Sequence, residues 1–170
     1  MRCFLGLDLS PQTKLAIEQW RDKALPVTRS QIPACNFHIT SVFLGDVSMP
    51  VLDAICSEVD HLSLPKAEIL LNEMGYWSKP RVTFLTSTSP SSELTHIATK
   101  LSHIAKRLSV RVEDRRYIPH VTIQRKASHA PPAPIIAPDF TCQFDAIHLF
   151  ESCSTEKGVR YPILKTWPLV

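Results

Sequence analysis

Phe37-His38-Ile39-Thr40-Ser41-Val42 and Pro119-His120-Val121-Thr122-Ile123-Gln124 each set a histidine and a threonine two residues apart in an apolar, β-branched run. Successive side chains of a strand leave on opposite faces, so His38 and Thr40 share one face and Ile39 takes the other; His120, Thr122 and Val121 behave alike. Each strand therefore offers an imidazole and a hydroxyl to a common space. Two lobes, each lending one such strand to a shared cleft, would account for the duplication.

The flanking sequence supplies the rest of that architecture. Residues 4–9 read as a strand, and Ser10-Pro11 then provides an N-cap and a first-turn proline for a helix through Ala24, with Ile17, Trp20 and Ala24 on one face. Residues 36–44 alternate as a strand, and 48–62 carry Leu52, Ile55, Val59 and Leu62 at helical spacing. Residues 67–76 and 81–88 read as strands joined around Ser78-Lys79-Pro80. The clearest helix follows, with the stripe Leu94, Ile97, Leu101, Ile104 and Leu108, and its His96 and His103 fall on the surface. Residues 110–112, 118–124, 140–150 and 159–167 bring the expectation to about eight strands, with a Pro-rich loop at 130–138. Three helices over antiparallel strands make an α+β fold in a single unit spanning 1–170.

Composition narrows the function. With 44% hydrophobic and 21% charged residues the chain is of the globular kind, and a net charge of +3 favours neither indiscriminate nucleic-acid coating nor a membrane surface. Charge distribution says more: no Asp or Glu occurs from Arg115 to Pro138, while Arg115, Arg116, Arg125 and Lys126 crowd around His120, where an anion is a plausible guest. The apolar run that opens the chain is too short for a signal-peptide core, and no stretch reaches membrane-span length, which leads us to expect a cytoplasmic protein. Cys3, Cys35, Cys56, Cys142 and Cys153 are odd in number and lack Cys-x-x-Cys spacing, so we expect reduced, mostly buried thiols.

Two imidazoles facing each other across a phosphodiester can divide the work, one taking a proton from water and the other giving one to the departing alkoxide, in either order. Threonine hydroxyls can donate to phosphate oxygens. The motif itself is cheap. Seven His and 28 Ser and Thr in 170 residues yield about one His-x-Ser/Thr by chance, and a third instance, His61-Leu62-Ser63, occurs at a helix end. Strand context, twice, and the nearby arginines distinguish the other two from a pair of half-buried structural histidines.

The stretches Phe37 through Gly45 and Pro119 through Arg125 resemble the paired motifs of the bacterial RNA 2′,3′-cyclic phosphodiesterase (RNA 2′-5′ ligase-type) family of two-histidine phosphoesterases. The likeness extends over the chain through Phe4-Leu5-Gly6-Leu7-Asp8-Leu9, Gly75-Tyr76-Trp77, and Leu149-Phe150-Glu151-Ser152 to Gly158, Tyr161, Leu164 and Trp167. It implies a bilobal fold with a pseudo-twofold axis, antiparallel sheets lining a central cleft and helices outside. It also implies opening of 2′,3′-cyclic phosphate ends to 2′-phosphates without metal or cofactor, with reversible 2′-5′ ligation as a companion activity. His38 would be the proton donor and His120 the acceptor; Thr40, Thr122 and Arg125 would bind phosphate, and Phe43 would stack on the terminal nucleobase. RNA or an oligonucleotide with a cyclic phosphate end, tRNA halves among the candidates, would be the partner, with no membrane and no obligate protein partner.

Strict alternation puts Phe43 opposite His38, and Arg125 opposite His120, so those two roles need a bulge or a strand end in between. Ser41 stands where the family more often has an apolar residue. Trp77 and Tyr161 read as core aromatics and Arg81 as a surface arginine, and Glu113-Asp114 reads as a charged turn. Two rival functions remain: a metal-dependent phosphodiesterase gathering His38, His120 and His148, which lacks His-Asp and Asp-x-Asp clusters, and a non-catalytic RNA- or nucleotide-binding module, which would not need both histidines.

Overall fold

The computed structural model describes residues 1–170. β1 (Arg2–Asp8) leads into α1 (Pro11–Ala24), whose cap is the expected one: Ser10 Oγ accepts from the Thr13 amide at 3.2 Å, and proline opens the first turn. β2 (His38–Asp46) is followed by α2 (Met49–Asp60), then β3 (Ala67–Leu71), β4 (Glu73–Trp77) and β5 (Val82–Thr86). α3 (Ser92–Arg107) is capped by Ser91 and carries Glu93 in its first turn and Lys106 and Arg107 in its last, complementing the helix dipole at both ends. Leu94, Ile97, Leu101 and Ile104 are its buried stripe, and His96 and His103 lie on the surface. β6 (Val121–Arg125), β7 (Phe140–Phe144), β8 (Ala146–Glu151), β9 (Cys153–Thr155), β10 (Gly158–Arg160) and β11 (Ile163–Pro168) complete the chain.

Eleven strands stand where about eight were expected: three runs are divided, residues 110–112 form no strand, and β9 is added by its hairpin pairing with β10. The run 67–76 breaks at Asn72, whose side chain bonds the Thr88 hydroxyl and amide, so that β3 and β4 enter different sheets. The run 140–150 breaks at Asp145, whose carbonyl takes the Leu169 amide at 2.7 Å. The run 159–167 is interrupted at Tyr161-Pro162, since proline cannot donate to the ladder. Residues 110–112 form no strand: Ser109 adopts φ 62°, the Val110 amide caps α3 through Ala105, and the chain runs irregularly to His120. Within that stretch Glu113 pairs with Arg115 and Asp114 with Lys106, the charged turn expected there.

All pairings are antiparallel. The first lobe holds the sheet β11-β8-β1-β2 and the second the sheet β4-β5-β6, with β3-β7 and the hairpin β9-β10 as two-stranded pairs. In each sheet the His-x-Thr strand pairs with a central strand, Gly6 opposite Thr40 and Phe84 opposite Thr122, which is the pseudo-twofold relation in residue terms. One buried cluster runs through both lobes, from Leu5, Leu7 and Ile39 to Leu85, Val121 and Ile123. The Pro-rich loop straps α1, with the Trp20 indole donating to Ile136 O at 2.8 Å and the Ile135 amide to Ala24 O. No helix is long and apolar enough to cross a membrane.

Candidate active site

The site depends on two bulges. Between β1 and β2 the register passes from Leu5↔Val42 to Gly6↔Thr40, leaving Ser41 as an extra residue. Between β5 and β6 it passes from Thr83↔Gln124 to Phe84↔Thr122, leaving Ile123 extra. A bulged residue shifts the alternation by one. Phe43 and Arg125, each five positions beyond their histidine, thereby return to the histidine face, Phe43 with 44% of its surface exposed. Both residues sit past a bulge, as their expected roles require.

The second bulge is tied to distant chain. Ile123 O accepts from the Ile32 amide at 3.1 Å, and the Arg125 amide donates to Ser30 O at 3.0 Å. Arg21 Nη1 reaches from α1 to Ile32 O at 2.6 Å and Ile123 O at 3.1 Å, and its guanidinium lies 5.5 Å from the ring of Phe37, the residue before His38. Arg21 is 3% exposed. This buried cation touches both half-sites, and no sequence motif announced it.

The histidines are held alike. Nδ1 of His38 donates to Asn36 O at 2.7 Å and Nδ1 of His120 to Ile118 O at 2.8 Å, in both cases the carbonyl two residues back. A carbonyl only accepts, so the hydrogen sits on Nδ1 and the neutral ring keeps a lone pair on Nε2. Aromatic side chains wall each ring. His38 lies 4.8 Å from Phe4 and 4.9 Å from Tyr161, and His120 lies 4.7 Å from Trp77 and 5.5 Å from Phe84, centroid to centroid. Burial against these walls, with the charges of His120 and Arg125 adding to it, pushes His38 down to about 4. Burial likewise lowers His120, assisted by Arg115 and Arg125. Arg125 thus acts on both rings, and its guanidinium makes no ion pair or hydrogen bond within the protein; nor do the hydroxyls of Thr40 and Thr122. The arrangement supplies two Nε2 lone pairs, two hydroxyl donors and an unpaired fork of N–H groups.

Trp77 and Tyr161, assigned no role from the sequence, prove to be the partners of His120 and His38, and Arg115 lies 5.9 Å above the Trp77 ring. Gly75-Tyr76-Trp77 was the available signal. Gly75 is required there, since a Cβ would strike the Phe84 ring, and Gly6 is required opposite Thr40, where a Cβ would meet Ile39 O at 2.5 Å. His148 bonds the Thr166 hydroxyl at 2.9 Å, and no group of three or more His, Cys, Asp or Glu side chains is placed to hold an ion. Ser41 is buried and its hydroxyl has no well-formed bond, the cost of a polar residue at that bulge. All five cysteines are free, and fewer are buried than expected: Cys3 and Cys142 are buried, Cys56 and Cys153 are half-buried, and Cys35 is exposed.

Residues 9–156 match the model of the 2′-5′ RNA ligase superfamily. The chain belongs to the 2′-5′ RNA ligase superfamily. It is 28% identical over 169 residues to an RNA 2′,3′-cyclic phosphodiesterase of Escherichia coli (strain K12), covering 99% of this chain and 96% of that one. The crystal structure of E. coli LigT complexed with 3′-AMP superposes with a TM-score of 0.92 at 29% identity, over 99% of this chain and 97% of that one. A structure described as a phosphoesterase matches with a TM-score of 0.93 at 29% identity and the same coverage. The bilobal α+β architecture implied by the resemblance is the architecture of these relatives.

Proposed function

We propose that this member of the superfamily hydrolyses RNA-type 2′,3′-cyclic phosphodiester ends to 2′-phosphates, with His38 and His120 as a metal-independent acid–base pair. The observation that carries the reading is the matched pair of imidazoles, each fixed through Nδ1 by a carbonyl and each accompanied by a threonine whose hydroxyl has no protein partner. Relatives over the full chain length named as RNA 2′,3′-cyclic phosphodiesterases support the same substrate class.

In the reaction, water attacks phosphorus while its proton passes to Nε2 of His120, and the P–O3′ bond breaks as Nε2–H of His38 delivers a proton to O3′. The 2′-phosphate remains on the ribose, and exchange with solvent resets both rings. Thr40 and Thr122 donate to the non-bridging oxygens; Arg125 adds charge-assisted bonds that strengthen as negative charge builds up. Phe43, exposed beside Phe4, offers a face to the terminal base. In the free protein burial holds His38 neutral, so its donor role depends on the bound phosphodiester anion drawing a proton onto it. Ligation would be the same chemistry with an RNA 5′-hydroxyl in place of water. RNA ends such as tRNA halves fit this reading, as does a cytoplasmic location, and the chemistry calls for no cofactor or obligate protein partner.

Turnover of a 2′,3′-cyclic mononucleotide by wild type, His38→Ala and His120→Ala tests the proposal. A positioned proton transfer contributes about 10²- to 10⁴-fold, so each variant should lose at least that while remaining folded. Near-normal turnover in either would reduce the dyad to two structural histidines and revive a binding module.

A further inference from the structure

Three chain segments without a single Asp or Glu meet around Arg125: residues 23–45, 74–92 and 115–138. They are joined there by the Arg125 amide bonding Ser30 O, by Val82 lying opposite Arg125, and by the Ala127 amide bonding Arg81 O at 3.3 Å. The rim so formed carries Lys79, Arg81, Arg125 and Lys126, all exposed and none in an ion pair, with Arg29 one residue from Ser30.

Two of these residues are strained. Arg81 has φ 56° and Lys126 φ 57°, a left-handed conformation that Gly, Asn or Asp would hold more comfortably. Neighbouring cations, unneutralised and at strained positions, are a poor choice for stability alone, and an outlier of this kind points to function. The corresponding rim of the first lobe is mixed in charge, with Asp46 opposite Arg2 and Glu151 and Glu156 beside the β9-β10 hairpin.

We infer that the second-lobe rim binds the phosphates of a single-stranded RNA tail running 5′ from the cyclic end, so that the protein prefers polynucleotide ends to mononucleotides. The inference rests on the phosphodiesterase reading for its site and extends it to the choice of substrate. Lys79, Arg81 and Lys126 contribute charge to the tail alone, whereas Arg125 serves the reacting phosphate.

The test compares a 2′,3′-cyclic mononucleotide with a short RNA ending in the same cyclic nucleotide, for wild type and for the triple variant Lys79→Gln, Arg81→Asn, Lys126→Asn, whose asparagines suit the left-handed positions. Wild type should favour the oligonucleotide at least tenfold in kcat/KM at low salt. Its kcat/KM should fall with a log–log salt slope steeper by about 2, near 0.7 for each of three phosphate contacts. The triple variant should lose that preference and the extra slope while turning over the mononucleotide within twofold of wild type. Equal kcat/KM for both substrates in wild type, or an unchanged preference in the variant, overturns the inference. Fluorescence anisotropy with a labelled 2′-phosphate-ended RNA reads the tail separately from catalysis. Salt-sensitive binding weakened by the triple variant upholds the inference even if neither cyclic substrate is turned over, an outcome that would sink only the hydrolytic reading; binding indifferent to the variant overturns it.

Discussion

Replacing Arg21 with methionine should damage the active site from the far side of α1. Methionine keeps an apolar stem against Phe37 but removes the guanidinium that donates to Ile32 O and Ile123 O. Ile123 O retains the Ile32 amide, whereas Ile32 O loses its partner. A buried carbonyl left unsatisfied costs about 1 to 3 kcal/mol, and a bond to a charged donor contributes about 1.5 to 3 kcal/mol. Relief of the buried charge, which has only partial pairing with Glu18 at 3.9 Å and Asp22 at 3.3 Å, offsets part of the loss. We expect a net destabilisation of about 3 kcal/mol, or about 6 to 12 °C in Tm for a domain of this size. Because the lost bonds hold the bulge that turns Arg125 into the cleft, kcat/KM for a 2′,3′-cyclic mononucleotide should fall by about 10- to 100-fold at temperatures where the variant is folded, one to two steps of 1.4 kcal/mol. Thermal melts and a double-mutant cycle with Arg125→Ala check both halves. If the effect passes through Arg125, Arg21→Met should cost little more in the Arg125→Ala background. An equal factor in both backgrounds would refute the positioning argument, and an unchanged Tm would refute the hydrogen-bond estimate.

Folding stability should rise with pH between about 4 and 6.5. Burial lowers His38 to about 4 and lowers His120 as well, so the unfolded chain binds more protons in that window and acid favours it; denaturant melts at pH 5 and 7.5 should differ, and less so in His38→Ala. The dyad should give a bell-shaped kcat/KM profile with its optimum on the acid side of neutrality, because both rings are depressed; an optimum above pH 8 would contradict the burial seen here. Gly75→Ala pushes a Cβ into the Phe84 ring that backs Trp77 and His120, and such overpacking costs about 1 to 3 kcal/mol. Its kcat should fall more than its KM rises, and wild-type kinetics would show that the wall yields freely. Hydrolysis should survive EDTA undiminished, since no cluster of ligands is placed to hold an ion; activity lost to chelator and restored by a divalent cation would reverse the mechanism.

Local rules read correctly from the sequence wherever a segment's own pattern determined its state. Alternation assigned His38 with Thr40 and His120 with Thr122, the Ser10 cap and first-turn proline located α1, the apolar stripe located α3, and two lobes accounted for the duplicated motif. Alternation failed where a neighbouring strand intervenes. The extra residues Ser41 and Ile123 exist only relative to β1 and β5, so the faces of Phe43 and Arg125 could not follow from β2 or β6 alone. The break at Tyr161-Pro162 follows from the proline itself, whereas those at Asn72 and Asp145, like the bulges, arise from contacts with remote chain. Trp77, Tyr161 and Arg21 became part of the site for the same reason, Arg21 meeting Ile123 across 102 residues of sequence. The sequence determined which residues could do the chemistry, because residue type and period are local properties. The tertiary structure decided which of them face one another, because pairing register and burial are set between segments and belong to none of them singly.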